Sequence, residues 1–231
     1  MSKLYGRIVL PGDEVDPRTQ ARPPYVIQLA RSKIATIPGI LVEREGGEVG
    51  FVPLKSVYIP EPGDIVIGLV ESFSLTYWQI DINSPYTAIL LAQDVLGRPP
   101  NPASDDLLKL LKPGDYVRAR VQLFDKTRQP TLTVQGEGLG KIASGVVIEI
   151  QHNKIPRVIG KKRSMLSILE EKTECKIFPA VNGRVHIECP SVAHEIVAIT
   201  AIKYIEREAH TTGLTERIAK MIEEERRARG L

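Results

Sequence analysis

The chain has 231 residues, 26% charged and 42% hydrophobic, with a formal net charge of +3. That length holds two or three small domains rather than one large core. No apolar run approaches the roughly 18 residues of a membrane span and the N-terminus lacks a signal peptide's apolar core, so a cytoplasmic location with no membrane association is expected.

The first 58 residues read as a small β domain. A segment of that size buries only about 60% of its chain surface, which leaves it marginal alone and favours docking on a larger surface or on a neighbouring domain. Pro11-Gly12-Asp13, Pro62-Gly63-Asp64 and Pro113-Gly114-Asp115 recur along the chain, the latter two just before β runs. A Pro-Gly turn ahead of an apolar strand is strong punctuation and points to small β-barrel units.

From 59 to 137 the predicted elements are strands at Ile65–Glu71, Leu75–Ile82 and Tyr86–Leu91, a proline-rich loop (Pro99, Pro100, Pro102), a short helix at Asp105–Leu111, and strands at Tyr116–Phe124 and Thr131–Gln135. Five strands with the helix between the third and fourth match an OB-type barrel. Trp78 alternates in phase with Ile80 and Ile82 and is expected in the core, which turns Tyr77 outward. Along the fourth strand Val117, Ala119, Val121 and Leu123 share one face, so Tyr116, Arg118, Arg120, Gln122 and Phe124 share the other. Lys126 and Arg128 extend that basic, aromatic face. Single-stranded nucleic acid is held by such surfaces, with cations along the backbone and rings under bases; an ordinary solvated barrel face is the plain alternative. Gly136-Glu137-Gly138-Leu139-Gly140-Lys141 precedes a strand instead of opening a helix, which removes a nucleotide-binding reading and predicts a flexible hinge.

Residues 138–231 form the basic end: 141–231 carries 16 basic and 12 acidic groups, which would draw polyanions. Ser144–Ile150 reads as a strand, Pro156 to Gly160 as a short helix, Ser164–Lys172 as a second helix, and Cys175–Phe178 and Arg184–Cys189 as strands across an Asn182-Gly183 turn. Ser191 caps a helix carrying the stripe Val192, Ile196, Ile199, Ile202 and Ile205. The order βααββα resembles a type I KH domain. Between the first two helices, Lys154, Arg157, Lys161, Lys162 and Arg163 gather around Ile159-Gly160, the arrangement with which KH modules clamp about four nucleotides. The family's G-x-x-G becomes Gly160-Lys161-Lys162-Arg163 here, so Arg163 must tolerate the backbone angle of the second glycine or change the turn. A KH domain kept only for packing is the alternative.

Cys175 and Cys189 lie on the two hairpin strands. A two-residue turn would face them to opposite sides and a three-residue loop would set them opposite each other; free, mostly buried thiols are expected in a cytosolic chain. His152, His186, His194 and His210 show no metal-ligand spacing with the cysteines, so neither a metal nor another cofactor is expected. From Leu214 to Arg229 the pattern is an amphipathic helix packed on its neighbour.

Three runs carry a wider resemblance: Tyr58–Gly68 (YIPEPGDIVIG), Trp78–Pro85 (WQIDINSP) and Pro156–Met165 (PRVIGKKRSM). In this order the chain resembles, over essentially its whole length, the S1/KH RNA-binding cap subunits of the archaeal exosome. The match is weakest around Pro23-Pro24-Tyr25. The fold expected is mixed β and α+β: an N-terminal small β domain (1–58), an S1-type OB-fold barrel (59–137) and a type I KH domain with a C-terminal helix (138–231). The resemblance implies a non-catalytic subunit, three copies of which sit on a hexameric ring of RNase PH-like phosphorolytic subunits. Single-stranded RNA would be guided 3′ end first by Arg118, Arg120, Lys126 and Arg128. Competing readings are a ribonuclease, which would need gathered carboxylates or a phosphate site beside a general acid, and an S1/KH transcription or translation factor.

Overall fold

The computed structural model describes residues 8–20, 25–30, 32–43, 47–54, 57–101, 106–208 and 213–230. Pro23, Pro24, Pro102, Asp105 and His210, invoked above, lie outside them. The chain divides into two compact units, Met1–Ser56 and Val57–Leu231.

Among its described residues the first unit holds seven short strands: β1 (Ile8–Val9), β2 (Glu14–Val15), β3 (Thr19–Gln20), β4 (Val26–Leu29), β5 (Ser32–Ala35), β6 (Gly39–Glu43) and β7 (Val49–Pro53). They form two sheets, β1-β6-β7-β3 and β2-β5-β4. Their shared core is small: Val9, Val15, Val26, Ala35, Leu41, Val49 and Phe51.

In the second unit, β8 (Ile65–Phe73), β9 (Tyr77–Asp81), β10 (Ala88–Leu91), β11 (Tyr116–Leu123) and β12 (Thr131–Thr133) run in the order β12-β10-β9-β8-β11, and a β11–β12 pairing closes the barrel. Trp78 is fully buried in its core and its indole N–H donates to the Leu111 carbonyl at 3.1 Å. Among the described residues two short helices lie between β10 and β11: α1 (Ala92–Leu96), in addition to the one helix expected there, and α2 (Leu107–Leu110), whose cap Asp106 accepts from the Leu108 N–H. Gly97 ends α1 in the left-handed conformation, the usual glycine stop.

The three Pro-Gly-Asp turns are geometrically alike. In each, the Asp carboxylate accepts from the N–H of the residue three positions earlier (Leu10 2.9 Å, Glu61 3.1 Å, Lys112 2.8 Å) and the Asp N–H donates back to that residue's carbonyl. The glycines sit at φ 94 to 96, open to glycine alone at little cost. Tyr58 adds a hydrogen bond to Asp64 at 2.7 Å, so burial and this carboxylate push the phenol's pKa well up.

The glycine-rich segment after the barrel is not a hinge. Gly140–Lys141 forms β13 on the edge of β11, Lys141 pairs with Asp115 at 2.5 Å, and the Gly138 carbonyl accepts from Arg118 at 3.2 Å. Backbone pairing and a charge contact pin the residues whose glycines alone signalled freedom.

Beyond it come β14 (Val146–Glu149), a 3₁₀ turn at His152–Lys154, α3 (Ile155–Ile159), a second 3₁₀ turn at Lys161–Arg163, α4 (Ser164–Thr173), β15 (Lys176–Pro179), β16 (Arg184–Glu188), α5 (Val192–Glu208) and α6 (Leu214–Ala228). The sheet order is β14-β16-β15. The α5 stripe fills the core with Ile202 and Ile205, and Ile218 and Ile222 of α6 pack on the same cluster. Val192 and Ile196 of the predicted stripe are exposed instead.

Barrel and KH fold meet through the tip of the β15–β16 hairpin. Its loop has three residues, Val181-Asn182-Gly183, closed by the Ala180 N–H donating to Arg184. Asn182 is wholly buried: its amide nitrogen donates to the carbonyls of Ile67 and Ile82, both at 2.8 Å, and its oxygen accepts from the Ile67 N–H at 3.3 Å. Arg184, also buried, donates to the Asp81 carboxylate, to the carbonyls of Asp81 (2.6 Å) and Ile67 (3.3 Å), and to Glu149 (2.9 Å). A buried guanidinium is stable only when its donors are satisfied this fully.

The same register corrects the thiol expectation. With three residues in the loop, Lys176 faces Glu188, so Cys175 and Cys189 fall opposite each other and form a disulfide, Cα atoms 4.3 Å apart.

Two outcomes follow from these contacts. Thiol titration of the unfolded, unreduced chain should find no free cysteine, and reduction should lower stability by roughly 2–3 kcal/mol; two reactive thiols would contradict the cross-link. Arg184→Ala should cost about 3 kcal/mol in urea unfolding by removing the buried donor shared by the Asp81 carboxylate, the Asp81 carbonyl and Glu149, and a change within error would show that the hairpin tip does not hold the two folds together.

Candidate nucleic-acid interface

The clamp loop is built from both ends. Pro156 fits the first turn of α3, and Gly160 ends that helix at φ 72, ψ 171 with its N–H on the Pro156 carbonyl. A Cβ on Gly160 would lie 2.7 Å from the Met165 nitrogen, so no side chain fits there. Lys162 (φ 52) and Arg163 (φ 65) then take left-handed conformations before α4 starts. Arg163 therefore tolerates the angle of the missing glycine, at a strain of roughly 1–2 kcal/mol.

Arg157, Lys161, Lys162 and Arg163 are exposed. The Arg163 guanidinium stands 3.8 Å from Glu170, a solvent-screened contact that leaves it available to another anion. Lys154 departs from the expected clamp: it is buried to 7% exposure in the turn leading into α3, where burial and then the Arg157 charge hold its pKa below the usual lysine range. Ile159 is half-buried and packs against the KH core.

The predicted barrel face divides along β11. Val117, Ala119 and Val121 point inward as expected. A register shift between Val121 and Leu123 then reverses the phase, leaving Leu123 60% exposed and turning Phe124 toward the barrel core, edge-on to Tyr86 at 4.8 Å. Phe124 was expected on the outer face; the bulge moves it. Tyr77 is half-buried on β9, its register partner Leu91.

Tyr116 and Arg118 face the KH sheet rather than open solvent. Arg184 lies 5.8 Å over the Tyr116 ring, and the Arg118 guanidinium lies 3.7 Å over Phe178. Arg118 also bonds the His186 Nδ1 at 3.2 Å. Because the His186 Nε2 is 2.7 Å from the Ser144 carbonyl, which can only accept, Nε2 carries the proton and Nδ1 accepts from Arg118. Burial lowers the Arg118 pKa. Two residues on, Arg120 is exposed, and so are Lys126 and Arg128. The Asp125 carboxylate bonds Thr127 and the Arg128 N–H, a tight turn that displays both cations; these hydrogen bonds hold its pKa below the carboxylate range.

The predicted site cations that are exposed thus fall into two sets, Arg120, Lys126 and Arg128 on the barrel and Arg157 with Lys161–Arg163 on the KH fold. Asn182, Phe178, Arg184 and His186, which sequence reasoning did not single out, form the seam. Arg184 opens β16 beside the turn and alternates with His186 and Glu188, so its position in the sequence reads as an ordinary polar strand face and does not announce its burial. Among the described residues no group of three or more His, Cys, Asp or Glu is placed to hold a metal, and no helix is long and apolar enough to cross a membrane.

Residues 145–209 match the KH domain family. The chain is 58% identical to exosome complex component Rrp4 of Aeropyrum pernix, over 98% of this chain and 97% of that one. Rrp4 of Sulfolobus acidocaldarius is 43% identical (94% and 88% covered) and that of Nitrosopumilus maritimus 38% identical (94% and 96%). A crystal structure of a provisionally assigned exosome complex RNA-binding protein, 61% identical, superposes with a TM-score of 0.73 over 75% of this chain and 99% of that one. With likeness of this degree along nearly its full length, the chain belongs to the exosome complex component Rrp4 family.

Proposed function

We propose that the chain is a non-catalytic RNA-binding cap subunit of an exosome, holding single-stranded RNA and guiding its 3′ end into a phosphorolytic 3′–5′ exoribonuclease ring in the cytoplasm. The observation that carries this reading is the exposure of two separate cation sets on small folds that suit single strands, an OB-type barrel and a KH loop. Likeness to Rrp4 along the full length favours it over an S1/KH transcription or translation factor.

Residues 1–58 are the ring-docking part, 59–137 and 138–231 the RNA-holding parts. Ile8, Leu10, Ile27, Leu29 and Val52 of the first unit are exposed, apolar surface that a hexamer of RNase PH-like subunits would cover, three caps to a ring. A non-catalytic role is supported by the use of carboxylates in structure: Asp64 and Asp115 close turns, Asp81 binds Arg184, and Asp94 holds Thr133 and the Val134 N–H.

The purified chain should leave labelled RNA intact, with or without phosphate, and should accelerate phosphate-dependent degradation when ring subunits are added; degradation by the chain alone would refute the cap role. Each phosphate contact on a single strand contributes about −0.7 to the slope of log affinity on log salt. Replacing Lys161, Lys162 and Arg163 by alanine should flatten that slope by about 2. Arg163→Gly, which suits the left-handed angle, should keep the melting temperature and flatten the slope by about 0.7. An unchanged slope in both variants would leave the KH loop a packing element.

A further inference from the structure

A groove of about 480 Å³ runs over the outer side of the barrel between the α1 end and β12. Three amides line it, Gln93, Gln122 and Gln135, together with Leu91, Leu132 and Arg98. The volume falls in the range of small-molecule sites, about 300–1,000 Å³.

Its walls are held firmly. Asp94, the carboxylate among the lining residues, accepts from the Thr133 hydroxyl at 2.8 Å and the Val134 N–H at 2.7 Å, and the Asp94 carbonyl accepts from the Gln135 side chain. All three glutamines are exposed, but only the Gln135 amide is tied down; neither the Gln93 nor the Gln122 amide makes a hydrogen bond among the described residues. Gln122 also shares β11 with Arg120, the open cation two residues earlier, which pairs in register with Thr133 of β12.

We infer that this groove seats one unstacked nucleotide of the RNA strand held on the barrel face, an inference that rests on the RNA-binding reading above. Arg120 and Arg98 would meet the phosphates on either side. The free amides of Gln93 and Gln122 would meet the base edge. A carboxamide offers both a donor and an acceptor and can rotate between them, so it pairs with any of the four bases. Such a seat holds a strand without selecting its sequence, which suits a guide through which RNA must slide. Leu91 supplies apolar surface beneath the base.

The test uses the full chain and fluorescein-labelled 12-mers of A, C and U, with anisotropy read across a salt series. Gln93→Ala/Gln122→Ala should weaken binding about 10-fold, by the same factor for all three oligonucleotides, with the salt slope unchanged because no charge is removed. Gln122→Glu should weaken it further by bringing a carboxylate beside the strand. Arg120→Ala should instead flatten the slope by about 0.7. If the glutamine variants bind like the parent while Arg120→Ala still flattens the slope, the groove holds no nucleotide although the barrel binds RNA. If neither changes binding, the barrel-face reading itself is wrong. A loss confined to one base would overturn the tolerant-amide inference.

Discussion

The buried hydrogen-bond set at the hairpin tip decides what the larger unit can be. Asn182 and Arg184 belong to the KH fold, yet their side chains complete the backbone of the barrel at Ile67, Asp81 and Ile82. Neither fold alone could satisfy these groups without water, and each unsatisfied buried polar atom costs about 1–3 kcal/mol. The two folds therefore share part of their stability. Arg118 reinforces the seam from the barrel side, lying over Phe178 and bonding His186.

Rigidity at that seam has a functional consequence. A flexible polyanion loses conformational freedom when it is held at two places, and the loss is smaller when the two places do not move relative to each other. The barrel cations and the KH loop sit on one compact unit with a pinned connection, so under the proposed function a strand would meet a preset pair of surfaces. Arg118 gives up the role of an open cation for this, while Arg120, Lys126 and Arg128 keep it.

Much of this was legible from residue order. Alternation placed Trp78 inside the barrel and Val117, Ala119 and Val121 beside it, and the βααββα order gave the KH fold, because period and turn chemistry act locally. What escaped was set by register and by tertiary partners. The bulge after Val121 moves Phe124 inward without any local glycine to announce it. The disulfide depended on whether the hairpin loop has two residues or three, an alternative the sequence left open. Lys154 and Arg118 read as open cations because charge is visible in a sequence and the surface that covers it is not. The glycine-rich linker looked mobile, since edge pairing to β11 comes from a strand more than twenty residues earlier.

Backbone hydrogen exchange on the full chain, with and without a single-stranded RNA, tests most directly whether barrel and KH fold act as one RNA-holding body. The account predicts slow exchange of Ile67 and of the hairpin-tip segment 180–186 in the free protein. It also predicts that added RNA slows exchange at 120–128 and 160–163 with a common titration midpoint. Free exchange at the hairpin tip, or protection of only one of the two cationic segments, would contradict it.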